Sequence, residues 1–209
     1  MRIDSLKTSP DRAGRYWVAF GDGSKLGLYR QTVEDFGLYT GKDLPEEEYQ
    51  ALLTAAGKMS AKMRAVRIVS ASSVSKRDLE ARLVRKGEDP AQAKEAVQWM
   101  EDLHLVDDRN TAEAVVHSCI SKGYGLQRAK QALFEKRIPK QYWEEALAEY
   151  PDQLEKIENF LRSRLDADSD GKQVKKAIDA LIRRGHSYAN IRKVLNNLSF
   201  DTEEFPEEF

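Results

Sequence analysis

The stretch Ser75-Lys-Arg-Asp-Leu-Glu-Ala-Arg-Leu-Val-Arg-Lys-Gly87 decides the fold, because two later stretches of the chain repeat it. They are Gly125-Leu-Gln-Arg-Ala-Lys-Gln-Ala-Leu-Phe-Glu-Lys-Arg137 and Gln173-Val-Lys-Lys-Ala-Ile-Asp-Ala-Leu-Ile-Arg-Arg-Gly185. In register, each has a leucine followed by an apolar residue and then, three residues after the leucine, a base. These leucines are Leu83, Leu133 and Leu181, and the bases are Lys86, Lys136 and Arg184. A repeat of nearly fifty residues is typical of stacked helical units.

The agreement continues beyond each base with a second apolar pattern. In the first repeat Ala93, Ala96, Val97 and Met100 stand seven, ten, eleven and fourteen residues after Lys86. This spacing follows one face of an α-helix. A further amphipathic stretch precedes each basic segment, at residues 63–70, 111–121 and 154–165. The sequence therefore predicts three repeats of three helices each.

Capping residues stand at the ends of these predicted helices. Ser75 with Asp78 has the form of a capping box, in which side chains accept amides of the first turn. Gly87 and Gly185 suit the left-handed position just after a helix. Helix starts are also predicted at Asp89-Pro90, Asp107-Asp108 and Ser187.

The first forty or so residues have a different pattern. Residues 15–20 and 25–30 are β-prone runs separated by Gly21-Asp-Gly-Ser24, which predicts a hairpin, with residues 3–6 as a third strand. A phosphate-binding glycine loop would need a helix directly after it, and a strand follows instead. A helix is predicted from Pro45 to Val66, with Gly57 as its weak point.

The predicted fold is mainly all-α: three tandem three-helix repeats form an elongated curved array, preceded by a small N-terminal β-hairpin. The predicted boundaries are 1–44 for the hairpin region, 45–107, 108–151 and 152–198 for the repeats, and 199–209 for a tail. The tail carries five acidic residues and no basic one. We expect it to be mobile, with docking through Phe200, Phe205 and Phe209 as the alternative.

Composition indicates a soluble protein. The 209 residues include 34 basic and 35 acidic side chains and one cysteine, with no leader and no long apolar run. These features predict a cytoplasmic monomer without a membrane segment.

Residues that could carry catalysis do not form a set in the sequence. His104, His117 and His186 lie far apart, and Cys119 lies on an apolar stripe, which predicts a buried, inert thiol. Asp107-Asp108 could be an acidic pair for metal or proton transfer, but a helix start is the favoured interpretation. We predict no catalytic residue, no metal, no cofactor and no enzyme activity.

Aromatic residues fall into two predicted groups. Trp99, Trp143, Tyr142 and Tyr150 stand at repeat positions that face a core. Tyr124 and Tyr188 stand near turns beside basic helices, where a ring could stack on a base.

Basic residues recur on the second helix of each repeat. The simpler interpretation is that these residues lie on solvent-exposed helix surfaces and form ion pairs with acidic residues of neighbouring helices. Recurrence in three repeats favours display towards a regular anionic or protein surface. The candidate binding residues are Arg77, Arg82, Arg85, Lys86, Arg128, Lys130, Lys136, Arg137, Lys175, Lys176, Arg183 and Arg184.

These motifs in order resemble the RecX family, which modulates RecA. The resemblance covers about residues 59–198 and rests on four groups of residues: Ser75 with Asp78-Leu79, Leu83 with Lys86-Gly87, Leu105-Val106-Asp107-Asp108 with Ala112, and Gly123 with Gly125. The family often has lysine-glycine where this chain has Lys136-Arg137.

The resemblance implies a regulatory protein that binds the RecA–DNA filament in its groove. It further implies that the chain mostly inhibits the ATPase, recombinase and coprotease activities of RecA, in DNA repair, recombination and the SOS response. The alternative function is sequence-tolerant binding of single- or double-stranded DNA itself. A helix-turn-helix regulator is a weaker possibility, because no predicted helix carries the side chains that read base edges.

Overall fold

The computed structural model describes residues 1–10, 14–166 and 168–200, and in that part of the chain most residues are helical. It forms two compact units, one ending at Val106 and the other beginning at Asp107. The predicted fold class, helical repeats after a small N-terminal sheet, is confirmed. The separate repeat boundaries and the curvature of the array stay predictions.

The first unit begins with an antiparallel sheet in the order β1-β2-β3. Its strands are β1 (Ile3–Thr8), β2 (Arg15–Phe20) and β3 (Lys25–Tyr29). Gly23 in the β2–β3 turn has φ +84°, the left-handed conformation that favours glycine. The predicted hairpin and its third strand are therefore confirmed.

Two helices follow the sheet. The short α1 (Arg30–Asp35) follows β3 directly and was not predicted. The long α2 (Glu46–Ala71) starts after Pro45 and has three glutamates in its first turn. Their negative charge stabilises the helix by its attraction to the positive end of the helix dipole. It continues through Gly57. Its first half contributes Leu52 and Ala56 to the core under the sheet.

The second half of α2 belongs to the first repeat, with α3 (Lys76–Arg85) and α4 (Pro90–Asp102). Ser75 accepts a hydrogen bond from the Asp78 amide and Asp89 caps α4, as predicted. The core holds Leu79 and Leu83 of α3 among small α2 and α4 residues such as Ala65 and Ala96. Small side chains allow the helices to approach closely.

The second repeat contains α5 (Asp108–Ser121), α6 (Leu126–Glu135) and the five-residue α7 (Trp143–Leu147). Asp107 caps α5 by accepting the amides of Arg109 and Asn110. α7 is shorter than the predicted helix because no side chain caps it and a 3₁₀ turn, Lys140–Tyr142, precedes it. The predicted core aromatics Trp143 and Tyr150 nevertheless pack, half-buried, against this repeat's core.

The third repeat contains α8 (Leu154–Arg162), α9 (Gly171–Arg183) and α10 (Tyr188–Asn197). Asp170 and Gln173 form a full capping box at the start of α9, and Ser187 caps α10. Ile157, Leu161, Ile178, Leu181 and Ile191 are buried together. Phe200 packs against this core, whereas tail residues 201–209 lie outside the described part of the chain.

The ends of the second helices repeat at the level of single hydrogen bonds. The leucine carbonyls of Leu83, Leu133 and Leu181 accept the amides of Glu88, Ile138 and His186. The residue before each of those amides is left-handed: Gly87 at φ +91°, Arg137 at +55° and Gly185 at +84°. This is the Schellman arrangement, which ends a helix by satisfying its last carbonyls.

Candidate binding surface

The basic residues of α3 are mostly free to meet a partner. Arg77, Arg85 and Lys86 are exposed and form no side-chain ion pair with any described residue. Arg82 is half-buried and pairs with Asp78 at 2.8 Å along the same helix. The charge of α3 is therefore presented mainly by Arg77 and the Arg85-Lys86 pair at its C-terminal end.

The basic residues of α6 are less exposed. Arg128 is half-buried and its Nη1 lies 3.0 Å from the Glu135 carboxylate, so this cation is partly neutralised. Lys130 and Lys136 are also half-buried. Arg137, whose backbone is left-handed, is exposed.

The basic residues of α9 are the most exposed of the three sets. Lys175, Lys176, Arg183 and Arg184 are all exposed, and none pairs with a carboxylate among the described residues. The Arg184 guanidinium lies 4.8 Å from the centre of the Phe160 ring, a cation–π distance. This helix combines the largest accessible positive charge with a neighbouring aromatic ring.

Within the second unit, three of the predicted residues meet in one cleft. Arg128 of α6 and Arg183 and Arg184 of α9 line a cleft of about 430 Å³, together with Tyr124. Lys130, Lys136, Arg137, Lys175 and Lys176 do not line it. The structure therefore brings together only part of the predicted set.

Two further residues of this cleft, Phe160 and Arg164, were missed in the sequence. Phe160 reads as one more apolar residue of an amphipathic helix, and Arg164 stands in the loop after α8, outside the repeated basic segments. Arg164 lies 5.3 Å from the centre of the Phe160 ring. Only their spacing could have indicated the pair, since Arg164 follows Phe160 by four residues. That spacing is too common in helices to identify a site.

Tyr188, the other predicted stacking residue, lines a second cleft on α10. This cleft, of about 550 Å³, also contains Arg192, Lys193 and Asn196. Both tyrosines that the sequence singled out are thus half-buried beside basic residues.

A hydrogen-bonded junction fixes the second repeat against the third. The Gly125 amide donates to the Arg184 carbonyl at 2.9 Å, and the Gln127 amide donates to the Gly185 carbonyl at 3.2 Å. The Tyr150 hydroxyl donates to the Tyr124 carbonyl at 2.6 Å. These bonds hold the wall of the arginine cleft that Tyr124 forms.

Three titratable residues near this junction, His186, Cys119 and Tyr150, are neutral structural groups. His186 is buried, its Nε2 lies 3.1 Å from the Gly123 carbonyl, and burial lowers its pKa. Burial raises the pKa of the Cys119 thiol, as expected of an inert cysteine, and that of Tyr150 to about 12. Asp107 is a helix cap. In the described residues, no group of three or more histidines, cysteines or acids is placed to hold a metal ion.

Among the described residues, no helix is both long and apolar enough to cross a membrane.

Comparison with known proteins gives one consistent result. The family model for the second three-helix domain of RecX matches residues 107–147. The regulatory protein RecX of Clostridioides difficile is 26% identical over 96% of both chains. That of Vibrio parahaemolyticus is 28% identical over 71% of this chain and 96% of its own.

Solved structures agree in fold. A crystal structure of a regulatory protein RecX covers 93% of this chain and 98% of its own, with a TM-score of 0.62 at 20% identity. RecX from Lactobacillus salivarius covers 69% of this chain and 98% of its own, with a TM-score of 0.60 at 24% identity. The resemblance to the RecX family that the sequence predicts is therefore confirmed: the chain is similar to the RecX regulatory proteins.

Proposed function

We propose that this protein is a non-catalytic regulator that binds the RecA–DNA filament and mostly inhibits the activities of RecA. The exposed cations on the second helices carry the proposal. The regulatory role comes from the relatives, which are named regulatory protein RecX. The filament as partner comes from the family resemblance together with the regular recurrence of basic helices.

The composition of these helix surfaces favours a protein partner over bare DNA. The residue after each repeat leucine is apolar, and two of these side chains are exposed: Val84 at 39% and Phe134 at 71%. In the sequence, Val84 directly precedes Arg85, and Phe134 stands two residues before Lys136, the residue at the C-cap of α6. An exposed aromatic within a polar surface is typical of the residues that dominate binding energy in protein interfaces.

The proposed mechanism is steric and electrostatic. The basic helices contact acidic surfaces of neighbouring RecA protomers and thereby bridge them, while the apolar side chains fill pockets between those surfaces. A bridged protomer cannot make the changes of packing that ATP turnover and strand exchange require. Charge complementarity of this kind speeds association and selects the partner.

The test is a double charge reversal on α3, Arg85→Glu with Lys86→Glu. Both side chains are exposed and neither pairs with a described carboxylate, so the fold should be unaffected. We expect at least a tenfold rise in the concentration that half-inhibits the ATPase of RecA on single-stranded DNA, because two contacts become repulsive. Circular dichroism checks the fold.

Lys7→Glu with Lys25→Glu is the matched control. Both lysines are exposed on the N-terminal sheet, and the change in net charge is the same. The control should inhibit RecA like the unaltered protein. An equal loss of inhibition in both variants would mean that the overall charge of the protein, and not this surface, is responsible. Full inhibition by the α3 variant would refute the assignment of this surface.

The second candidate function is sequence-tolerant binding of DNA itself, and the arginine cleft of the second unit favours it. Direct binding predicts a steep loss of affinity with salt in the absence of RecA, since every phosphate contact releases counterions. A titration of labelled oligonucleotide with the protein alone distinguishes the two functions.

A further inference from the structure

The cleft in the second unit is a site of concentrated positive charge. Four arginines line it, Arg128, Arg164, Arg183 and Arg184, and none of the described residues that line it is acidic. Three of the four have no carboxylate within ion-pair distance among the described residues, and Arg128 alone is paired, to Glu135. Guanidinium groups gathered in this way repel one another, so an anion that enters the cleft relieves the repulsion.

The aromatic wall of the cleft narrows the class of anion. Phe160 packs on the core of the third repeat, with the Arg164 and Arg184 guanidiniums 5.3 and 4.8 Å from its ring centre. Tyr124, which belongs to the second repeat, also lines the cleft. The Tyr150 hydroxyl donates a hydrogen bond to its backbone carbonyl and so fixes its position. Rings and guanidinium planes are the surfaces on which nucleic-acid bases stack.

The size of the cleft also matters. At about 430 Å³ it falls in the range of pockets that hold a small ligand. Arginine binds phosphate oxygens in a bidentate manner, and it does so with more directional specificity than lysine. In a duplex the bases are stacked inside the helix, where an aromatic side chain within a cleft cannot contact them. A single strand can turn a base outward and place it against such a ring.

We propose that this cleft binds one nucleotide unit of a single-stranded nucleic acid, with its phosphate on the arginines and its base against the Phe160–Tyr124 wall. The inference deepens the second candidate function by giving it a site. Arg128, Arg183 and Arg184 also belong to the candidate set for the filament. The test is nevertheless separate from the filament test on α3, because the two residues varied here, Arg164 and Phe160, lie outside that set.

The test uses the whole protein and a fluorescein-labelled oligo-dT strand in anisotropy titrations at several salt concentrations. Arg164→Gln should weaken binding about tenfold and lower the slope of log affinity against log salt by about 0.7, the contribution of one single-strand phosphate. Phe160→Leu keeps an apolar side chain but removes the ring. It should weaken binding about tenfold without changing that slope.

Arg162→Gln is the matched control, two residues from Arg164. Arg162 is exposed, does not line the cleft and pairs with Glu158 at 2.8 Å. It removes the same charge, and we expect a change in affinity of less than twofold. Equal losses for the two arginine variants would overturn the cleft assignment in favour of diffuse attraction.

Competition identifies the ligand. An unlabelled single strand should displace the probe. A duplex of equal length and a polyglutamate of equal charge should reach half-displacement only at a concentration at least tenfold higher. Free thymidine monophosphate should displace it only weakly, because a single nucleotide lacks the neighbouring phosphates. Equal displacement by duplex or by polyglutamate would overturn the proposal.

Failure of the site and failure of the second candidate function give different results. If the unaltered protein does not bind oligo-dT at all, direct nucleic-acid binding is refuted together with the site. If it binds and Arg164→Gln binds equally well, only the cleft is refuted. Inhibition of RecA through α3 is measured separately in both cases.

Discussion

Arg137 occupies a backbone conformation that its side chain does not favour. Its φ is +55°, and its amide donates to the Phe134 carbonyl at 2.9 Å to close α6. The equivalent residues of the other two repeats, Gly87 and Gly185, have no Cβ to be crowded by the backbone. A non-glycine residue in this conformation costs about 1 kcal/mol.

Arg137→Gly should therefore raise the free energy of unfolding by about 1 kcal/mol. Urea unfolding followed by circular dichroism measures it. The control is Arg85→Gly, which removes another exposed arginine, from the last turn of α3. There the glycine should cost up to about 1 kcal/mol, because a helical residue gains unfolded-state freedom. A loss of stability in both variants would contradict the strain at Arg137.

The residues of the arginine cleft show what a single sequence can and cannot indicate. Tyr124 was predicted from its place near a turn beside a basic helix. Phe160 and Arg164 acquire their role only when the fold of the third repeat brings the Phe160 ring to Arg184 at the end of α9. That contact joins residues with no fixed spacing, so no local pattern predicts it.

Between elements, the contact of the second and third repeats depends on a neutral histidine. His186 directly follows Gly185 and is buried, with Nε2 near the Gly123 carbonyl and Nδ1 without a hydrogen-bond partner among the described residues. Its folded-state pKa lies below the usual 6.5, because burial and the nearby Arg184 disfavour the charged ring. The unfolded chain therefore binds a proton more readily than the folded chain.

Stability should consequently be greatest above pH 6.5 and should fall as the pH drops from 6.5 towards the lower, folded-state pKa of His186. In His186→Gln the amide can still donate to the Gly123 carbonyl, and this part of the pH dependence should disappear. Urea unfolding at pH 7.5, 6.5 and 5.5 measures the difference.

His117→Gln is the control for that experiment, because His117 is exposed on α5. It should keep the pH dependence of the unaltered protein. If His186→Gln keeps it as well, carboxylates or other groups are responsible and the junction does not depend on the charge of His186.

Four helix starts that a capping side chain marks could be predicted, whereas α1 and the short length of α7 could not. The starts of α3, α4, α5 and α10 follow from Ser75, Asp89, Asp107 and Ser187, whose side chains accept first-turn amides. α1 and α7 have no side-chain cap at all. They form because they pack against neighbours, and packing of that kind leaves little trace in local sequence.

Over the whole molecule, charge is distributed unevenly along the chain. The full sequence has 34 basic and 35 acidic residues, and five of the acids lie in residues 201–209. Without them the remaining chain has 34 basic and 30 acidic residues. A near-neutral total therefore combines a positive body with an acidic C-terminal segment.

A chain ended at Phe200 should bind an anionic partner about threefold more tightly at 50 mM salt, because the five carboxylates can no longer compete for the cations. The difference should vanish at 1 M salt, where charges are screened within about 3 Å. Oligo-dT anisotropy measures it. A full-length variant with the five acids replaced by amides should reproduce the gain, and an unchanged affinity at low salt would exclude competition by the tail.

The close approach of backbone at the junction restricts which repeat can stand next to which. A Cβ at Gly125 would overlap the Gly185 carbonyl, and one at Gly185 would overlap the Arg128 amide. The first repeat has Ser75 at the place of Gly125. It could not take the middle position without steric conflict, so the repeats are not interchangeable modules, and a chain with the first repeat moved to the middle would lose this backbone contact.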